Sequence, residues 1–317
     1  MESLLFKELL SEMKIEPEKI SLSLESFIKE YTEKLEREGV ILGLSGGVDS
    51  AVVAFLCERA LGPEKTLALI MPEKDSKKEH IEDALNLAKT LNLETKVIDI
   101  TSYIEDLGIY KLFPWEKILF RAKLKEALIK KAFHFYERKS EKRTFLESIL
   151  GVKGKEYSSY LAKGNAYYRI KHRLRMVLLY LYGELENRLI VGGANKSEYK
   201  IGYFVKHGCD DAADIMPLQN LYKTQVRELA GYLNIPPKIL KKAPSPDVVP
   251  GLTDEEVINL PYEKLDLILL ALEKHWEVPK IVEALQIKEE EINYVINLIQ
   301  KSEHMRKTFT PWAEQKF

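Results

Sequence analysis

Six consecutive residues hold the densest chemistry in the chain: Ser45-Gly46-Gly47-Val48-Asp49-Ser50. Two adjacent glycines lack a Cβ, so backbone N–H groups there can close on an anion. If a helix starts directly after them, its first unpaired N–H groups and the positive end of its dipole face the same point. Ser45 and Ser50 add hydroxyl donors. Asp49 repels phosphate by itself; it fits such a loop when a divalent cation bridges it to phosphate oxygens. No lysine follows the glycines, so this is not the G-x-x-x-x-G-K-[ST] loop that grips a γ-phosphate. Cleavage between the β- and γ-phosphates is therefore not the expected chemistry. The bland alternative is an ordinary Gly-rich turn between a strand and a helix. A lone Gly-Gly would not outweigh it; six residues in that setting do.

The elements around the loop must put it at the end of a strand. Val40-Ile41-Leu42-Gly43-Leu44 is a short continuous apolar run, the pattern of a central strand covered on both faces. An apolar helix follows over 51–61. A second strand is expected over 66–71, stopped by Pro72, an amphipathic helix over 77–92 and a third strand over 95–100. This alternation predicts a doubly wound α/β sheet of about five parallel strands with flanking helices. Further elements are a helix over 169–185, a strand over 189–192, a short strand near Ile215 and a helix over 222–233. Residues 1–38 read as helical, 243–253 as loop, and the chain from Asp254 onward as helical again. The whole of 1–317 reads as one domain.

Between the third strand and the helix at 169 lies a basic, mostly helical insertion, about 101–164. Ten Lys or Arg fall within 117–143. Leu119, Phe120, Leu124, Ala127, Leu128, Ala132 and Phe135 recur at helical spacing, which predicts an amphipathic helix with a solvated basic face. The functional alternative is an anion-binding flap or a partner surface.

The strand–Ser-Gly-Gly-x-Asp-Ser–helix unit resembles the signature of the ATP pyrophosphatases, which split ATP between the α- and β-phosphates. Other stretches, in order, resemble the ammonia-dependent NAD synthetases within that group. They are Gly164-Asn165 with Arg173-Leu174-Arg175-Met176, Asn195-Lys196-Ser197-Glu198, and Gly202-Tyr203-Phe204-Val205-Lys206. Ala213-Asp214-Ile215-Met216-Pro217-Leu218 and Leu221-Tyr222-Lys223-Thr224-Gln225-Val226-Arg227 follow. The last are Ala243-Pro244-Ser245-Pro246-Asp247, Thr253-Asp254-Glu255-Glu256 and Ser302-Glu303-His304. The resemblance implies that Gly43, Leu44, Ser45, Gly46, Gly47, Val48, Asp49 and Ser50 hold the ATP phosphates, with Lys223 and Ser245 also on ATP. It implies Asp49 and Glu198 as Mg2+ ligands, Asp210 as a ligand to a second Mg2+, and Asp49 and Lys223 as the catalytic pair. Arg173, Lys206, Asp214 and His304 would line the site of deamido-NAD. A deamido-NAD carboxylate would take AMP from ATP, pyrophosphate would leave, and ammonia would displace AMP. Lysine near the phosphates suits the charge that builds on departing pyrophosphate. Arg173 and Lys206 suit an acceptor that carries its own pyrophosphate. The residue-level alternatives are a solvated helix lysine for Lys223, a helix-dipole partner for Glu198 and a surface residue for His304. Tyr222 and the apolar residues of the second strand are expected to pack the core rather than touch adenine.

Four departures fall on the acceptor side. The segment from Asn165 to Arg173 is several residues longer than the family's. Gly208-Cys209-Asp210-Asp211 is one residue longer than a Gly-Asp-Gly. Gly193 stands where a threonine is expected, and Met305 where a lysine is expected. Adenylation of a different carboxylate, or of a tRNA base gripped by the basic insertion, is therefore the alternative reading. A third is a nucleotide-sensing regulator using the helix pair around 281–300, although Glu289, Glu290 and Glu291 stand where a DNA reader wants cations.

Composition narrows the class. With 45% hydrophobic and 31% charged residues and a net charge of −1, nothing pushes the chain toward nucleic acid or membrane. No apolar run approaches a bilayer-spanning length, and the start lacks a signal peptide's apolar stretch. Two distant cysteines, Cys57 and Cys209, do not make a disulfide framework, so a reducing cytoplasm is expected. Cys57 is expected to be a small core residue. The residues before Val40 are too few for a glutaminase domain, so ammonia is expected free or from a separate glutaminase. The resemblance further implies a homodimer.

Overall fold

In a computed structural model that describes residues 4–113, 122–139, 144–150, 157–243 and 251–306, four strands form one parallel sheet. They are β1 (Gly39–Gly43), β2 (Thr66–Ile70), β3 (Glu94–Val97) and β4 (Arg188–Val191), in the order β3-β2-β1-β4. Every pairing is parallel. The fifth strand position reduces to a single parallel bridge between Val191 and Ile215. Pro217 follows almost at once and opens a 3-10 turn, Pro217–Asn220, because it has no N–H to continue a ladder. β3 is shorter than expected, yet the chain keeps pairing beyond it: the Ile98 and Ile100 N–H groups donate to Ile70 and Pro72 carbonyls at 2.9 Å each.

The helices are α1 (Leu4–Met13), α2 (Pro17–Lys34), α3 (Val48–Leu61), α4 (Lys78–Thr90), α5 (Thr101–Asp106), α6 (Ala122–Lys139), α7 (Thr144–Leu150) and α8 (Tyr157–Leu185). After β4 come α9 (Lys196–Ile201), α10 (Lys223–Tyr232), α11 (Pro237–Leu240), α12 (Asp254–Ile258), α13 (Tyr262–Glu273), α14 (Val278–Leu285), α15 (Glu289–Lys301) and α16 (Glu303–Arg306).

Side-chain alternation divides the strand residues between two cores. Val40, Leu42, Ala68, Ile70, Leu189 and Val191 pack with Ile28 of α2, Leu56 of α3, Leu87 of α4 and Leu229 of α10. Ile41, Leu67, Leu69 and Ile190 point the other way, onto Ile104 of α5 and Met176 and Leu179 of α8. Cover on both faces is why these strands read as unbroken apolar runs. A third core gathers Leu9 of α1, Phe145 of α7, Ile201 of α9 and the inward faces of α12 to α15. Ile281 and Ala284 of α14, and Ile292, Val295 and Leu298 of α15, belong to it, so the helix pair turns its apolar faces inward.

Two expectations about the insertion change. α8 does not begin at Arg169 but runs unbroken from Tyr157, with Gly164 and Asn165 inside it. On α6, Leu128 and Phe135 are about half exposed, so the apolar stripe is only partly covered. Its described contacts include polar ones: Lys130 meets Glu256 at 2.6 Å, and Glu137 accepts from Asn259 at 2.8 Å. Leu119 and Phe120 lie outside the described residues.

The strand order fixes where a site can form. The chain steps from β1 outward to β2 and β3, then returns to β4 on the other side of β1. The loops leaving the carboxyl ends of β1 and β4 therefore diverge and leave a crevice between them.

Candidate active site

Gly46 has φ +77°, and a Cβ there would lie 2.3 Å from the His80 carbonyl oxygen on α4. Both the backbone conformation and the close approach require glycine. Gly47 is extended and caps α3; a Cβ there would meet only Ser45 Oγ, at 3.4 Å. The first glycine thus serves the fold and the second keeps the mouth of the loop open. α3 begins at Val48, three residues earlier than expected, and its first backbone bond is Ala51 N–H to Gly47 O at 3.1 Å. The N–H groups of Val48, Asp49 and Ser50 therefore have no intrahelical acceptor. The serines work inside the loop: Ser45 Oγ accepts from Gly47 N–H at 3.2 Å, Ser50 Oγ accepts from Ser45 N–H at 3.3 Å, and Ser50 donates to Gly47 O at 3.0 Å. Two backbone donors expected to face an anion are held by seryl oxygens instead.

Behind the loop, one ammonium is enclosed by carboxylates. Lys223 Nζ, on the first residue of α10, donates to Asp49 Oδ2 and, at 3.0 Å, to Glu198 Oε1. Asp254 stands close by: its carboxylate accepts from Tyr203 at 3.0 Å and from Tyr262 at 3.4 Å, and the Tyr262 hydroxyl also donates to Glu198 at 3.1 Å. Lys223 is 2% exposed. Burial alone would lower its pKa, but Asp49, Glu198 and Asp254 hold it well above the usual lysine value. The carboxyls respond differently. Burial pushes Glu198 up to about 7, with Asp49 and Asp254 adding repulsion against the relief from Lys223. Burial also lifts Asp254, to about 6. One buried lysine does not balance three carboxylates, and the donors are all oxygen. That surplus and that donor set fit a hard dication such as Mg2+.

Separate elements aim these groups. Asn195 caps α9: its side chain accepts from Glu198 N–H at 3.0 Å and donates to Asp49 at 3.3 Å, tying the β4 loop to the β1 loop. Asp266 of α13 is fully buried and accepts from Ser197 Oγ, from Thr224 N–H at 2.9 Å and from Thr224 Oγ1 at 2.8 Å. Ser197 in turn accepts from Lys223 N–H at 2.9 Å. Asp266 thereby fixes the starts of α9 and α10, which carry Glu198 and Lys223. Burial raises its carboxyl to about 6 against these hydrogen bonds.

The cluster opens into a cavity of roughly 390 Å3 lined by Gly43, Leu44, Ser45, Gly47, Val48, Asp49 and Ser50 together with Glu198, Lys223 and Asp254. That volume lies in the range of small-molecule sites. Three cations that sequence reasoning did not single out also line it: Arg169, Arg175 and Lys242. Lys242 reaches Gly46 O at 3.1 Å and Asp83 at 2.6 Å. Asp83 is buried, which would raise its pKa, but Lys238 and Lys242 hold it below the usual value. Arg169 donates to Ser148 O at 2.6 Å and Arg175 to Met71 O at 3.1 Å. Leu69, Ile70 and Met71 both pack the core and border the cavity, whereas Tyr222 packs the third core and donates to Glu273 at 2.7 Å. Cys57 is a buried core residue, as expected.

The residues expected to hold the acceptor are arranged differently. Arg173 Nε donates to Lys206 O at 3.2 Å, and Lys206 Nζ to His304 O at 2.9 Å, so these three adjoin one another. They do not line the cavity. Asp214 is exposed and accepts from Ile190 N–H at 2.8 Å, at the end of β4. Asp210 lines the cavity and pairs with His172 at 2.9 Å. Burial would lower His172, but Asp210 and Cys209 hold its imidazolium up to about 10; Asp210 is held below the usual range by the same pairing, against its burial. Ser245 lies outside the described residues. The site residues that sequence reasoning missed, Asp254, Tyr262 and Asp266, come from the C-terminal helices. Asp254 stands in the Thr253-Asp254-Glu255-Glu256 stretch that resembles the family but takes no role there, because the Thr253–Glu256 capping box accounts for an acid at a helix start without any ligand.

Comparison with known proteins returns one family. A family profile described as NAD synthase matches residues 20–143 and 121–309. The chain is 44% identical over 265 residues to the NH(3)-dependent NAD(+) synthetase of Thermotoga maritima, covering 82% of this chain and 91% of that protein. Among solved structures it resembles an NH3-dependent NAD synthetase from Campylobacter jejuni in complex with the nitrate ion, with a TM-score of 0.64 and 31% identity over 94% of this chain and 100% of that one. It also resembles an NMN synthetase from Francisella tularensis, with a TM-score of 0.68 and 29% identity over 94% and 99% of the two chains.

Proposed function

The chain belongs to the NAD synthase family, and on that premise we propose that it amidates deamido-NAD with ammonia at the expense of ATP, forming NAD, AMP and pyrophosphate. The observation that carries this reading is the Asp49–Glu198–Asp254 group around Lys223, directly behind a glycine loop that offers helix N–H groups but no P-loop lysine. It is built for charge at the α- and β-phosphates.

Asp49 and Glu198 are the ligands we assign to Mg2+, with Asp254 adding negative charge beside them. The ion would draw charge from the phosphate oxygens. Lys223 holds Asp49 and Glu198 together and supplies a buried positive charge as pyrophosphate leaves. The first-turn N–H groups of α3, with Lys242 beyond Gly46, bind and orient the triphosphate. The apolar wall from Leu69 to Met71 excludes water from a site where hydrolysis of the adenylate would waste it. The substrate carboxylate oxygen bonds to the α-phosphorus, the α–β bridging bond breaks, and pyrophosphate departs with that electron pair. Ammonia then bonds to the acyl carbon, AMP leaves and one proton is released. No side-chain nucleophile is needed; the protein positions and neutralises anions. Arg169 and Arg175 on the cavity wall, and Arg173, Lys206 and His304 beyond it, are the cations available to an acceptor with its own pyrophosphate. We further propose a homodimer in the cytoplasm, with the Arg173–Lys206–His304 group near the subunit contact. Ammonia reaches the site free or from a separate glutaminase.

The test is an isotope transfer. Deamido-NAD labelled with 18O in its nicotinate carboxylate should pass one labelled oxygen to AMP in each turnover. Unlabelled AMP would rule out adenylation of that carboxylate.

A further inference from the structure

His172 of α8 meets the 207–212 loop where Gly208 lets the two backbones approach; a Cβ on Gly208 would lie 3.0 Å from His172 Cβ. The loop is tied by its own hydrogen bonds, His207 N–H to Asp211 and Asp211 and Ala212 N–H to Gly208 O. Across this junction three different donors converge. Cys209 Sγ lies 3.3 Å from His172 Nδ1, His172 Nδ1 lies 2.9 Å from Asp210 Oδ2, and Cys209 Sγ lies 3.7 Å from Asp210 Oδ1. All three ligand atoms fall within 4.8 Å of one another, and all three residues line the cavity.

We propose that His172, Cys209 and Asp210 form a binding site for one Zn2+-class ion on the wall of the cavity. Zinc–ligand bonds to sulfur, nitrogen and oxygen at tetrahedral angles place the ligand atoms about 3.3–3.6 Å apart. The His172–Cys209 and His172–Asp210 separations, 3.3 and 2.9 Å, lie within about half an ångström of that spacing, and one ligand atom from each residue lies within 4.8 Å of the others. Thiolate and imidazole select a borderline or soft metal, and Mg2+ avoids both. The site therefore differs in kind from the all-oxygen group around Lys223, and the two do not compete for the same ion. Binding releases two protons, one from the Cys209 thiol and one from His172 Nδ1, which Asp210 and Cys209 otherwise keep protonated, and the two anionic ligands neutralise the dication. Arg175 on the same wall opposes a further positive charge, which favours a site with two anions over one with neutral ligands alone. Three protein ligands leave the fourth position for water or a ligand atom from the cavity. The site lies where α8 and the loop after α9 both depart from the family pattern, and it does not depend on which carboxylate the enzyme amidates.

The whole chain, stripped of metal, is titrated with Zn2+ against a chromophoric chelator in a large excess of Mg2+, and separately with Co2+. We expect one equivalent of Zn2+ bound despite the Mg2+. We also expect a sulfur-to-cobalt charge-transfer band with the intense visible bands of a tetrahedral site. The only other thiol, Cys57, is buried in the core, so such a band reports Cys209. Cys209→Ser should abolish the band, and Cys209→Ser and His172→Gln should each weaken Zn2+ by more than the roughly 10–100-fold that loss of an outer-shell partner costs. Far-UV circular dichroism checks that both variants fold; if either does not, the cobalt spectrum of the parent still decides. No stoichiometric Zn2+, a Co2+ complex without the thiolate band, or folded variants that bind as the parent does would overturn the proposal.

Discussion

The proposed chemistry turns on Asp49, which belongs to the glycine loop and accepts from both Lys223 and Asn195. Asp49→Asn keeps the shape and removes the charge. Turnover at saturating ATP should fall by about 100-fold or more, the usual cost of removing one preorganised electrostatic partner, with an unchanged circular dichroism spectrum; near-parental turnover would remove Asp49 from the site. The raised carboxyls give a second prediction. Glu198 at about 7 and Asp254 at about 6 hold protons more tightly in the folded than in the unfolded chain. Their contribution to stability is therefore fully present in acid and lost as pH rises through these values, while Lys223 stays charged throughout. A dication offsets that loss only where the carboxylates are ionised. Mg2+ should raise the thermal midpoint clearly at about pH 8 and hardly at about pH 5. A shift that is equal at both would place the ion elsewhere.

At the scale of elements, the glycine loop and the buried aspartate of α13 hold the active geometry. Gly46→Ala must meet the His80 carbonyl in a left-handed conformation. It should cost about 1–3 kcal/mol in denaturant unfolding, whereas Gly47→Ala, with only Ser45 Oγ nearby, should cost less stability and act chiefly on ATP affinity. Asp266→Ala leaves the Ser197 and Thr224 donors without their acceptor. A loss of about 2–4 kcal/mol is expected, with a fall in kcat because α9 and α10 lose their common tie; parental stability would contradict the role. Legibility follows the same physics. β1, β2 and β4 were readable because strands buried on both faces leave continuous apolar runs, and Asp49, Glu198 and Lys223 because they stand in contiguous motifs. The start of α8 was not: the helix is expected from Arg169, yet it runs from Tyr157 through Gly164 and Asn165. Asp254 stands in a motif that resembles the family but draws no role from it, and Tyr262 and Asp266 were hidden, because their contacts to the site arise from helices packed against the sheet through a separate core. Nothing in the sequence around Tyr262 and Asp266 marks that approach.

At the scale of the whole molecule, the glycine loop, Asp49, Glu198 and Lys223 border the cavity, while Arg173, Lys206 and His304 gather beyond it. An acceptor that needs them must extend out of the cavity toward a neighbouring surface. If that surface is a second copy of the chain, then Lys206→Ala should raise the KM for deamido-NAD without altering that for ATP. An equal effect on both would tie Lys206 to the fold rather than to the acceptor. Relatives that carry both the NAD synthetase and the NMN synthetase names share this architecture, so the length of the acceptor is what must be measured. The most direct measurement gives the purified chain ATP, Mg2+, ammonium and either deamido-NAD or its mononucleotide counterpart, with mass spectrometry following the products. The account predicts NAD and AMP in equal amounts from deamido-NAD, and little product from the mononucleotide. No NAD from deamido-NAD, with AMP and an amide formed instead from the mononucleotide or another carboxylate, would contradict it.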